Sequence, residues 1–66
     1  MAAARYLVIT PTGEKIQVGI GEDMLAVPMP RPADEEFARA INRRFDSLAD
    51  LEAAIEANGG TYTRLL

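Results

Sequence analysis

The chain has 66 residues, 48% hydrophobic and 26% charged, with a formal net charge of −3 and neither cysteine nor histidine. That length allows one small domain. The missing residue types exclude disulfides, a sulfur- or imidazole-ligated zinc site, and any nucleophile–base arrangement built on cysteine or histidine. No stretch approaches the roughly 20 apolar residues of a membrane span, and no apolar run follows a basic start, so a cytoplasmic protein without membrane attachment is expected.

In chain order, RYLVIT (5–10) is β-branched and aromatic and reads as a first strand. PTGE follows as a turn, with Pro11 at its first central position and Gly13 as the left-handed residue before the next strand. KIQVGI (15–20) alternates, with Ile16, Val18 and Ile20 on one face, which is the pattern of a half-buried strand. GED (21–23) turns the chain again into MLAVPM (24–29), a third strand. Pro28 has no N–H to give to a ladder, so this strand belongs at an edge or ends near Val27.

Prolines then stand at alternate positions, Pro28, Pro30 and Pro32, without the three-residue spacing that stacks rings for polyproline recognition. The ladder therefore reads as a stiff corner. Pro32 suits the first turn of a helix, and Asp34 to Glu36 place negative charge at its N-terminus. This first helix is predicted over 33–45, with Phe37, Ile41 and Phe45 at four-residue spacing facing inward and Glu35, Arg39 and Arg43 facing out. Ser47 reads as the N-cap of a second helix over 48–57, with Asp50 as a capping-box partner and Leu48, Leu51 and Ile55 buried. Asn58-Gly59-Gly60 ends it, and TYTRLL (61–66) is a last strand. The order β-β-β-α-α-β predicts an α+β, two-layer domain, with a mainly antiparallel small sheet and two helices packed on one face.

The chemistry-bearing motifs are sparse. VGIGED holds a GxG after a strand, but another strand follows it where a dinucleotide site needs a helix N-terminus. TGEK lacks the spacing of a phosphate-binding loop, and Glu22-Asp23 and the Asp46/Asp50 pair lack the oxygen density of a calcium loop. No enzymatic activity, cofactor or metal is expected, and no motif is specific enough to name a family.

A binding role is the leading expectation. A chain this short without staples leans on a partner or on a second copy of itself. Two surfaces are candidates. Strand 1 is apolar on both faces, which predicts Tyr6 and Val8 on a sheet face that the helices leave uncovered. The second helix carries Ala53 in a small-residue stripe bordered by Asp50, Glu52 and Glu56, which suits a partner with a basic surface. The expected function is a small non-enzymatic protein-binding module, such as an acidic inhibitor of the phage type or an accessory subunit of a larger, nucleic-acid-handling complex. The alternatives are a regulator that touches nucleic acid through Arg39, Arg43 and Arg44 on one helix face, and a homo-oligomeric structural protein. The acidic balance and the lack of interleaved aromatics weigh against nucleic acid.

Overall fold

A computed structural model describes residues 2–66, with only the backbone at Ala2 and Ala3. Its elements are β1 (Ala2–Ile9), β2 (Lys15–Gly21), β3 (Ala26–Met29), α1 (Glu35–Ile41), α2 (Leu48–Ala57) and β4 (Thr61–Arg64). Every strand pairing is antiparallel, in the order β3-β2-β1-β4. Side chains of both helices pack with one face of the sheet into a single core, giving the two-layer α+β arrangement.

The first hairpin sets which face is inside. Gly13, left-handed at φ 90°, donates its N–H to the Thr10 carbonyl, and the Thr10 N–H returns to Glu14, each at 2.9 Å. This turn pairs Ile9 with Lys15, and the register then places Val8 opposite Ile16 and Tyr6 opposite Val18. Opposed residues share a face. Tyr6 and Val8 therefore join Ile16, Val18 and Ile20 in the core, and both are fully buried. The expectation that they lie on the uncovered face is corrected. Composition does not choose between two apolar faces of one strand; pairing with a neighbour that has only one does.

β3 is an edge strand, as Pro28 requires. The Ala26 N–H points away from β2 and donates to the Arg43 carbonyl at 3.0 Å. Two residues on, the N–H that Pro28 lacks would lie on the same outer side. Segment 42–45 covers this edge: Asn42 Nδ2 donates to the Ala26 carbonyl at 2.8 Å, and the Phe45 N–H to Met24 at 3.0 Å.

That edge also explains why α1 is shorter than predicted. It ends at Ile41, because Asn42 leaves helical geometry at φ −85°, ψ 71° and the next residues pair with the strand. Phe37, Ile41 and Phe45 are all buried as expected, the last from outside the helix. β3 starts at Ala26 instead of Met24, because Met24 closes the preceding turn with a left-handed φ of 62° and an N–H to Gly21 at 3.0 Å.

The proline ladder is architectural. Pro28 and Pro32 are buried and Pro30 is exposed after a cis peptide bond. Glu14 accepts the Ala33 N–H at 3.2 Å, tying this corner to the first hairpin, and Asp34 caps α1 through the Phe37 N–H at 3.2 Å. Helix α2 matches its predicted bounds. Ser47 Oγ accepts from the Asp50 N–H at 3.2 Å, and at the other end Gly59 and Gly60 return N–H groups to Glu56 and Ile55 at 3.1 and 3.0 Å.

Candidate functional site

The sheet face turned away from the helices follows from the register. Met29, Gln17, Leu7 and Thr63 form one row across it; Val27, Gly19 and Arg5 form the next; Ile9 stands between Lys15 and Thr61. Val27 is 43% exposed and Met29 68%, values high enough for a partner to bury substantial apolar area there. Leu7 and Ile9 are half-buried.

Glycines at 19 and 21 leave β2 without side chains in the middle of this face. The result is a hollow of about 440 Å³, lined by Arg5, Gln17, Asp23, Leu25, Val27 and Met29 around the two glycines. A Cβ placed on Gly19 would meet nothing within 4 Å, so packing within the domain does not require glycine there. A mid-strand glycine weakens a strand. The hollow is thus a surface feature that the fold itself does not need.

The charges of this face are Arg5 and Lys15, both exposed and neither engaged in a side-chain bond or ion pair among the described residues. Asp23 stands at the rim, where it accepts the Leu25 N–H at 3.1 Å and faces Arg44 at 4.0 Å.

The residues predicted from the second helix separate. Glu52 is half-buried against the sheet, where it accepts the Tyr6 hydroxyl at 2.7 Å and the Tyr62 hydroxyl at 3.3 Å. The two rings meet edge to face at 5.7 Å. Burial first, then the bond to Glu52, pushes the Tyr6 hydroxyl up to about 12. Tyr62 is raised as well, by partial burial and by the charges of Glu52 and Glu56. Glu52 is a structural acceptor, and the expectation of an outward acidic side chain is corrected. Asp50 and Ala53 line a second hollow of about 350 Å³, together with Ala57, Arg43, Arg44 and Phe45. Glu56 is exposed. The stripe is therefore bordered by cations as well as acids.

The three arginines do not share a helix face, because α1 ends before two of them. Arg39 lies 3.8 Å from Glu35, which also pairs with Arg31 at 3.1 Å. The Arg43 guanidinium stacks over the Phe45 ring at 4.1 Å from its centre and donates to the Ala40 and Arg44 carbonyls. Arg44 turns toward Asp23.

Sequence reasoning missed Leu7, Ile9 and Val27 on the uncovered face, where Met29 stands as the expectation for that face allowed. The signal was present in the hairpin: pairing Ile9 with Lys15 across the Gly13 turn places Leu7 and Ile9 opposite the polar side of β2. Among the described residues, no three acidic side chains gather where a metal ion could be held, and no helix is long and apolar enough to cross a membrane. Comparison with protein-family models, curated proteins and solved structures finds no match.

Proposed function

We propose that the protein is a small non-enzymatic protein-binding module that docks through the open face of its sheet. One observation carries this reading: Val27 and Met29 line an uncovered hollow at Gly19 that the domain's own packing does not use, and Leu7 and Ile9 share the same sheet face. A surface apolar patch rimmed by polar groups is the usual mark of a protein interface. The role is that of an inhibitor or accessory subunit of a larger assembly, exercised in the cytosol, where a chain without cysteine needs no oxidising compartment.

A photo-crosslinking amino acid at position 29, compared with one at Ala53 on α2, tests this in cells of the native source. The expected result is a heterologous adduct from position 29. Excess wild-type protein should suppress it, and excess Val27→Lys/Met29→Lys protein should not. Adducts from position 53 alone would move the docking site to α2.

A further inference from the structure

The open face differs in charge from the rest of the molecule. The chain carries ten acidic and seven basic residues, yet the charged side chains projecting from the open face are Arg5 on β1 and Lys15 on β2, neither of them paired among the described residues. Asp23, the rim acid, already has partners. Any surface that covers this face must bring carboxylates to two cations or bury them without counter-charge, which is costly.

Resting on the reading of this face as the docking surface, we infer that it takes one acidic amphipathic helix from another protein. Its carboxylates meet Arg5 and Lys15, and one apolar side chain enters the hollow over Gly19. The dimensions fit. From β3 to β4 the face spans three strand spacings, about 14 Å, close to the 10–12 Å diameter of a single helix. Arg5 and Lys15 lie four residues apart along the strands and one strand apart across them, roughly 14 Å in all. Acidic residues seven or eleven positions apart return to the same side of a helix after about 10 or 16 Å, and long side chains absorb the difference. A helix on this face would also complete a three-layer arrangement, with α1 and α2 on the other side.

Other occupants fit less well. A second copy related by a two-fold axis would set this patch against itself, bringing cations toward cations across an apolar contact. Nucleic acid would meet two isolated cations with aliphatic side chains between them and no aromatic platform.

The test is an NMR titration of ¹⁵N-labelled protein with three designed 18-residue helices. Each carries the same leucine stripe, flanked by glutamate, glutamine or lysine. The glutamate helix is expected to shift the amides of Leu7, Gly19 and Val27 and to bind at least tenfold more tightly than the other two. Arg5→Glu/Lys15→Glu should remove that preference and transfer it to the lysine helix. Gly19→Leu, which fills the hollow, should weaken binding severalfold while leaving the remaining spectrum native. Equal binding of the three helices at this face would overturn the acidic-helix inference and leave the docking reading standing. Concentration-dependent shifts of the same amides in the protein alone would replace the helix with a second copy. No shift on this face with any helix, together with no adduct from position 29, would overturn both.

Discussion

Gly60 shows how little freedom a single position has. A Cβ there would lie 2.9 Å from two carbons of the buried Phe37 ring and 3.1 Å from Ile55, so neither backbone nor ring can yield cheaply. Gly60→Ala should cost about 2 kcal/mol, read as a lower urea midpoint at unchanged slope. Gly59, at φ 87°, fails differently: alanine there meets only Pro11 at ordinary distance but must hold a left-handed backbone, at about 1 kcal/mol. Tyr6 makes a residue-scale prediction in pH. Its hydroxyl titrates near 12 in the folded chain and near 10 when unfolded, so the unfolded state loses its proton first. The associated stability is complete below pH 10 and disappears as pH rises toward 12, a loss of about 3 kcal/mol for two pKa units. Tyr6→Phe should flatten this alkaline slope without abolishing it, because Tyr62 is shifted in the same direction. An alkaline denaturation series with no difference between variant and wild type would remove the Tyr6–Glu52 bond from the account.

At the scale of elements, α2 carries two acidic side chains, Glu52 and Glu56, with different duties. Glu52 holds two tyrosine hydroxyls against the sheet, while Glu56 faces solvent. Glu52→Lys leaves the buried Tyr6 hydroxyl facing an ammonium, which has no acceptor to offer, and should destabilise the domain by about 2 kcal/mol. Glu56→Lys should stay within about 0.5 kcal/mol of wild type. Thermal melts of the two single variants check the contrast, and equal effects would mean that Glu52 is as solvated as its neighbour. The truncation of α1 belongs to this scale as well. Phe45 keeps its inward side chain although the helix stops at Ile41, because segment 42–45 satisfies the backbone edge of β3 while delivering the same ring to the core.

For the whole molecule, the two faces of the sheet predict opposite responses to charge. Val8 is fully buried, so Val8→Lys would bury an ammonium among aliphatic side chains and should unfold the domain. Val27→Lys and Met29→Lys fall on the open face, and each should change stability by no more than about 0.5 kcal/mol. Circular dichroism with urea titration separates the cases directly. The acidic-helix inference adds that wild type sediments as a monomer at micromolar concentration, since its open face lacks the charges to complement itself. A dimer there that Met29→Lys dissolves would instead assign the face to self-association.

Local chemistry determined the order of the elements and several of their ends. The alternation of Ile16, Val18 and Ile20, the Ser47 cap, the left-handed glycines at 13 and 59 and the missing N–H of Pro28 each act within a few residues, so sequence spacing alone reads them. The inward face of β1 was legible as well, through the hairpin register that sets Tyr6 and Val8 against the single apolar face of β2. Only tertiary structure decided the early end of α1 and the inward turn of Glu52. Both depend on a group supplied from far along the chain: the open edge of β3 for Asn42 and Arg43, and the Tyr6 hydroxyl, 46 residues before Glu52, for its carboxylate. A backbone edge or a buried hydroxyl must find a partner wherever the fold brings one, and helical periodicity within a single segment holds no record of that demand.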